Sequence, residues 1–409
     1  MLQGLLHFLQ VVCAFWVLNH FSKTPSGHAL LKAIGFSERT QPEWEPEVNN
    51  APFEEEMSRL STKTSRPGME NVSNCCYMNA LLASLSGIPL VYYKTVHQFQ
   101  VPEQGATSDA EHDKTMLLAV LARVMIQLNG SGASVNPSMN LMQTVRGYMS
   151  WKFGGLECVL EFWQRLLDAL PEKLIDGLFA VNVEHVNRYG GRYEELKDYV
   201  LSQGTQKEYG LMVSLANIAE TQPLKLSEMI ADGFCDTGAE YIIEPTGHPV
   251  IRELFAADQA SECPEFRVLS AAEEPLKFSI PMTSTIHVSG VPVVLPVMIH
   301  RGMADNQPDN RPVLLDAELA INGCLFVRRA VIIYQSRHYT AYVYDEADGI
   351  WYHYDDERVG AVCTDQQVAW MRIAMAHDAV MAFYVNKADA SNTAYLQPYM
   401  DATLLAINV

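Results

Sequence analysis

The chain has 409 residues, 48 % of them apolar, and a formal net charge of −19. That apolar share supports a sizeable core and argues against a disordered chain. The acidic excess argues against nucleic acid, which asks for basic stripes, and suits a partner that presents Arg and Lys. The eight cysteines, at 13, 75, 76, 158, 235, 263, 324 and 363, show no even framework and no paired C-x-x-C. Neither a disulfide scaffold nor a zinc ribbon is therefore written in them, no structural metal or cofactor is expected, and a reducing, cytoplasmic setting is. Cys75 and Cys76 are read as free thiols, because adjacent residues rarely close a disulfide without strain.

Residues 1–36 open with an apolar run, Met1 to Phe21, interrupted by His7, Gln10 and Asn19 and short of a clean span. Two readings stand for it: a membrane anchor that leaves the rest of the chain in the cytosol, since Lys23 and Lys32 follow, or a buried or surface amphipathic helix. Residues 37–64 read as an acidic linker. Between Ser37 and Met57 there are seven glutamates and one arginine, with Pro42, Pro46 and Pro52 breaking any helix.

A folded domain is expected over 65–388. Its first part has helical periodicity: Met78, Leu81, Leu82 and Leu85, then Leu117, Leu121, Val124 and Leu128, then Val159, Phe162, Trp163, Leu166, Leu167 and Leu170, three helices sharing one apolar core. Residues 171–240 carry no decisive pattern. After about residue 240, β-rich runs take over, among them 291–299, 324–327 and 330–334. Helices followed by strands give an α+β fold. Residues 389–409 form a polar, then weakly apolar tail.

Two segments far apart in the chain carry chemistry. In the first, Gly68 to Asn79, Asn74 precedes the first apolar helical residue and is the expected N-cap, which places Cys75 and Cys76 in the first helical turn. Helix-start N–H groups and the dipole favour a thiolate there, and the Asn71 amide with a backbone N–H can bind an oxyanion. The periodicity does not say which sulfur reacts, and two small buried cysteines are the plain alternative.

The second segment is a β-hairpin. His338 starts an alternating run, Glu346-Ala347-Asp348-Gly349 is a turn signal, and Ile350 to Asp355 returns. If Asp345 pairs with Ile350, Thr340 opposes Asp355, so His338 and Asp355 share a face as diagonal neighbours and Asp356 points to the other. Asp355 would accept the Nδ1 proton of His338 and leave the other ring nitrogen for the thiol. His353 reads as a satisfied strand histidine among aromatics.

Gly68-Met69-Glu70-Asn71-Val72-Ser73-Asn74-Cys75-Cys76-Tyr77-Met78-Asn79 resembles the Cys box of the ubiquitin-specific proteases, G-L-x-N-L-G-N-T-C-Y-M-N. Arg337-His338-Tyr339-Thr340-Ala341-Tyr342 and Trp351 to Val359 resemble that family's His box. Pro292 to Arg301 looks like its P-x-x-L-x-I-x-L-x-R strand and Ala382-Phe383-Tyr384 like its closing strand. The resemblance implies a papain-like fold with a helical thumb, an antiparallel β palm and reduced fingers. It further implies Cys76 as nucleophile, His338 as base, Asp355 as the base's partner, Asn71 as oxyanion donor, Asp356 as a helper, and Tyr339 beside the substrate. Cys75 falls where the family usually has threonine.

The implied activity is thiol-dependent hydrolysis of isopeptide bonds after the C-terminal glycine of ubiquitin or a ubiquitin-like modifier. Those modifiers and their conjugates would be the partners. Three departures stand out. Cys158 replaces the acidic residue that usually grips the modifier's tail, leaving Glu157 or Glu161 as substitutes. The zinc-binding cysteine pairs of the fingers are absent. Arg337 replaces the glycine before the base. A ubiquitin-binding scaffold that no longer cleaves is the alternative from another class, and a thiol acyltransferase with the same triad is a third.

Overall fold

The computed structural model describes residues 66–71, 74–100, 109–129, 158–191, 196–197, 199–215, 224–231, 234–243, 267–270, 277–301, 303–304, 307–309 and 311–390. The apolar start, the acidic linker, Glu157 and residues 391–409 of the tail lie outside the described residues. Among the described residues, no helix is long and apolar enough to cross a membrane.

Helices come first: α1 (Cys76–Ser86), α2 (Pro89–Gln100), α3 (Asp109–Leu128), α4 (Val159–Ala169) and α5 (Glu172–Phe179). Pro89 opens α2, a position where its missing N–H costs nothing. Every residue of α1 is buried, as suits a helix clothed on all sides, and its polar members are satisfied internally: Ser84 Oγ donates to Ala80 O (2.8 Å) and Ser86 Oγ to Met125 O (3.4 Å). Helix α4 is one-sided. Val159, Phe162, Trp163, Leu166 and Leu167 are buried, and Glu161 pairs with Arg165 at 3.0 Å on the exposed side. Trp163 meets Phe179 and Phe383 edge-on, at 5.0 and 5.8 Å between ring centres, tying α4 to α5 and to the sheet behind them. The three helical stripes expected from periodicity do enter one core.

Strands begin earlier than the sequence suggests, which corrects the expected onset near residue 240. β1 (Val181–Tyr189), β2 (Val200–Glu208) and β3 (Leu211–Ser214) lie in the stretch without a decisive pattern. The reason is visible in β2: it is the edge of a sheet ordered β2-β1-β7-β5, and most of its residues face solvent, so it lacks apolar alternation. That sheet is completed by β5 (Phe234–Ile243), β6 (Arg267–Ser270) and the long β7 (Lys277–Val288). Strand β4 (Leu224–Lys225) leads into α6 (Leu226–Ala231).

The larger, eight-stranded sheet runs β16-β15-β14-β13-β17-β8-β3, with β12 paired to β13. Its members are β8 (Val294–His300), β12 (Glu318–Ile321), β13 (Cys324–Gln335), β14 (His338–Asp345), β15 (Ile350–Asp355), β16 (Arg358–Val362) and β17 (Ala379–Asn386), besides β3. Two short pairs, β9 (Met303–Ala304) with β10 (Gln307–Pro308) and β4 with β11 (Val313–Leu314), flank it in sequence. Helix α7 (Asp365–Asp378) opens on a capping box in which Gln367 N donates to Thr364 Oγ1 (3.1 Å) and Thr364 N donates to Gln367 Oε1 (2.9 Å).

Central strands of this sheet are buried on both faces. Ala330 and Ile332 of β13, with Met381, Phe383 and Val385 of β17, join the core under α1–α5. Val331, Ile333, Ala382 and Tyr384 join a second core that includes Met371, Ala374 and Met375 of α7. Such strands read as continuous apolar runs rather than alternations. The architecture is thus mixed helix and sheet, an α+β arrangement in which one face of the β14–β15 hairpin meets the helices.

Candidate active site

The first chemical segment is threaded against the hairpin end. Met69 N donates to Asp356 O at 2.8 Å, and a Cβ on Gly68 would stand 2.4 Å from Asp356 O and 2.5 Å from Glu357 O, so only glycine lets the two backbones pass. Arg66 adds a clasp: its guanidinium pairs with Asp345 and with Asp348 (2.9 Å) and lies 4.2 Å over the Tyr352 ring.

The helix cap differs from expectation. Asn74 takes a left-handed φ of 59°, which asparagine tolerates, and Cys75 is the N-cap, with φ −92° and no side-chain cap of its own. The reversal at Asn74 brings the Cys75 N–H onto Asn71 Oδ1 (2.9 Å), a bond made by a side chain four residues back that periodicity alone does not foresee. Cys76 is the first helical residue of α1 and 6 % exposed, and Asn79 N closes the first turn on Cys75 O at 3.0 Å.

The hairpin register is the expected one: Asp345 pairs with Ile350 and Ala341 with Tyr354, which sets His338 and Asp355 diagonally on one face. His338 follows a two-residue turn in which Ser336 and Arg337 both have positive φ, 50° and 63°. This is the backbone that two-residue hairpins prefer, here held by two side-chain-bearing residues. The ring nitrogen is a correction. Nε2, not Nδ1, meets Asp355 Oδ1 at 2.7 Å, with Asp356 Oδ2 at 3.8 Å, which leaves Nδ1 for Cys76. The difference follows from ring orientation at the strand's first residue, which alternation cannot specify.

The hydrogen bond to Asp355, then the one with Cys76, raises His338 to about 10 against a smaller desolvation effect. Burial pushes Asp355 up, but the His338 hydrogen bond and neighbouring positive charge outweigh it and hold the carboxyl below its ordinary value. Asp356 goes the other way: burial raises it, and the donors around it reduce the rise without cancelling it. Those donors are Asn71 Nδ2 (2.7 Å, to Oδ2) and Asn79 Nδ2 (2.8 Å, to Oδ1). Asp356 itself sits at φ 51° in the β15–β16 turn.

His353 behaves as the plain reading expects, stacked 4.6 Å from Tyr342 and pushed down to about 4 by burial. Tyr339 is buried, pairs across the ladder with Tyr334 at 4.6 Å between rings, and its hydroxyl meets the backbone N–H of Val159 at the start of α4. The Cys76 and Cys158 thiols both bear electrostatically on Tyr334 and Tyr339, so the exposed Cys158, N-cap of α4, stands near the same site. Glu161 is engaged with Arg165.

Sequence reasoning assigned no role to Asn79. Its signal was a polar residue at i+3 from Cys76 in an apolar helix; the fold buries it to 2 % and turns its amide onto Asp356. His338 Nε2 and one oxygen each of Asp355 and Asp356 lie within 4.8 Å of one another, a donor set a cation could use, but the hydrogen bonds just described account for the cluster. A cavity of about 580 Å³ lined by Arg66, Ser86, Tyr92, Asn129 and Tyr352 opens at the far end of α1 and excludes the thiol.

The sequence profile of the family described as "Ubiquitin carboxyl-terminal hydrolase" matches residues 67–314. The match takes in Asn71 and both thiols and ends before His338. A human protein named "Ubiquitin carboxyl-terminal hydrolase 17-like protein 15" is 21 % identical over 413 residues, covering 91 % of this chain, and the chain spans 66 % of that relative's length. Because the profile covers more than half of the sequence, the chain belongs to the ubiquitin carboxyl-terminal hydrolase family.

Proposed function

We propose that this protein is a thiol-dependent isopeptidase that cleaves after the C-terminal glycine of ubiquitin or a ubiquitin-like modifier. The observation that carries the reading is the His338 imidazole, bonded to Asp355 on one nitrogen and to the Cys76 thiol on the other, drawn from opposite ends of the domain. Asp355 and then Cys76 hold the proton on the imidazole, which is raised to about 10, and an imidazole so placed beside a sulfur is the arrangement thiol nucleophiles use.

The Cys76 thiolate attacks the glycine carbonyl carbon, and the oxygen takes up negative charge. Asn71, whose amide spends one N–H on Asp356, supplies the other to that oxygen together with a backbone N–H at the start of α1. His338 Nδ1–H protonates the departing lysine amine, and the carbon–nitrogen bond breaks to leave a thioester on Cys76. Nδ1 then takes a proton from water, whose oxygen displaces the sulfur and releases the modifier's carboxylate. Asp355 holds the ring throughout and stays ionised.

The helices α1–α5 would be the thumb, the eight-stranded sheet the palm and the smaller sheet the reduced fingers. The protease domain would run over 65–388 behind the acidic linker. A reducing, cytoplasmic compartment suits a reaction that needs a free thiolate, whether or not residues 1–21 associate with a membrane. Shape would supply specificity, since a narrow channel to the thiol between helices and sheet would exclude side chains and favour glycine at the point of cleavage.

C-terminal electrophile probes of ubiquitin, SUMO and NEDD8 test the reading. At least one labels the parent protein and Cys75→Ala, and none labels Cys76→Ala; labelling that survives Cys76→Ala sinks it. The scaffold reading is favoured by one feature, the thiol of Cys158 where a tail-gripping carboxylate is expected. It predicts modifier binding with no labelling at all.

A further inference from the structure

We propose that Cys75 is a positioning residue, whose buried thiol fixes the side-chain amides of Asn71 and Asn79 in the orientation the oxyanion site requires. The proposal rests on the thiol-hydrolase reading and deepens it. Cys75 is 0 % exposed, and its Sγ lies 3.6 Å from Asn71 Oδ1, 3.8 Å from Asn79 Oδ1 and 3.8 Å from Glu70 O. Its backbone N–H also donates to Asn71 Oδ1. On the opposite side, Asp356 receives the Nδ2 of both asparagines.

The two poles are chemically distinct. The S–H and N–H of Cys75 are donors and meet amide oxygens; the carboxylate of Asp356 is an acceptor and meets amide nitrogens. An amide has nearly the same shape when its O and N exchange, so packing alone does not stop Asn71 from flipping. A donor at one end and an acceptor at the other do. In the flipped state Asn71 would aim its oxygen at Asp356 and offer no N–H to a developing oxyanion.

The thiol of Cys75 is therefore not a spare nucleophile. Side chains of adjacent residues at a helix start diverge by about 100°, and this one points into the amide cluster while Cys76 meets the imidazole. A thiol is a weak donor: at Asn71 it reinforces the Cys75 N–H, which already holds Oδ1 at 2.9 Å, and at the buried Asn79 it is the donor that faces Oδ1.

The test compares wild type, Cys75→Ala and Cys75→Ser with a fluorogenic C-terminal amide of ubiquitin. It adds the pH profile of Cys76 alkylation by iodoacetamide and the affinity for ubiquitin C-terminal aldehyde, whose adduct oxygen occupies the oxyanion position. Outright loss of a well-placed oxyanion donor costs on the order of 10²–10³ in kcat, whereas an amide left free between two equal orientations presents its N–H about half the time, so kcat falls roughly twofold. In Cys75→Ala, kcat falls by that factor with KM unchanged. Aldehyde affinity falls in step, the alkylation profile stays where it was, and Cys75→Ser restores the rate.

A wild-type kcat in Cys75→Ala overturns the proposal, as does a loss that Cys75→Ser shares or that slows alkylation equally. If the alanine variant does not fold, Cys75→Val, close in size and without a donor, takes its place in the same comparison. A wild-type protein that neither cleaves the C-terminal amide nor binds the C-terminal aldehyde of ubiquitin, SUMO or NEDD8 overturns the hydrolase reading itself, and this proposal with it.

Discussion

His338 is the residue on which pH acts. Its proton is held up to about 10 in the folded protein against an ordinary 6.5, first by Asp355 and then by Cys76. A base that binds its proton more tightly when folded adds stability that is complete below pH 6.5 and is lost as the pH climbs towards 10. The thermal midpoint should therefore decline over that alkaline window in wild type and decline less in Asp355→Asn. The alkaline limb of kcat/KM, where the general acid is lost, should move down by about one to three pH units in the same variant. Its rate should drop on the order of 10²-fold or more. His353→Phe is the control, because that ring is already neutral above about pH 4 and serves the Tyr342 stack. A limb that moves with His353 and not with Asp355 would exchange their roles. The choice of aspartate was legible in the sequence, since strand parity and a four-residue turn suffice; the choice of ring nitrogen was not, because it depends on a side-chain torsion.

At the scale of elements, the site is a junction between the start of α1 and the open end of the β14–β15 hairpin, and Gly68 is where they touch. A methyl group there meets Asp356 O at 2.4 Å, backbone against backbone, so neither partner is a side chain that can swing aside. Gly68→Ala should destabilise by about 1–3 kcal/mol in denaturant unfolding, as overpacking does. It should also lower kcat, since the turn it displaces carries Asp355 and Asp356; unchanged kcat and stability would mean that the contact is slack. Helices α1, α3 and α4 were legible because each has a one-sided or fully apolar repeat with i+3 and i+4 spacing. Strand β2 was not, for it is a polar edge whose stability comes from its ladder with β1. The helix cap was misplaced for a related reason: asparagine serves equally as an N-cap and in the left-handed region, and only the position of Asn71 decided between them.

For the molecule as a whole, the charge of −19 sets a field that attracts basic partners and repels acidic ones. Steering of this kind acts on encounter and is screened over roughly 8–10 Å at physiological salt. With a modifier substrate, kcat/KM should fall several-fold between about 0.02 and 0.2 M salt while kcat holds; a flat kcat/KM would place the acidic excess away from the binding face. The amino-acid sequence by itself determined the class of fold, the two chemical segments and the hairpin register, and the family pattern it carries singles out Cys76 as the proposed nucleophile. These properties are local, or repeat with the period of a helix or strand. Tertiary structure alone decided that Asn79 joins the cluster around Asp356, that Gly68 must be bare, and that Nε2 rather than Nδ1 faces the carboxylate. Gly68 and Asn79 depend on how closely the first segment passes Asp356 near the other end of the domain, and the ring nitrogen depends on a side-chain torsion; a linear pattern carries neither.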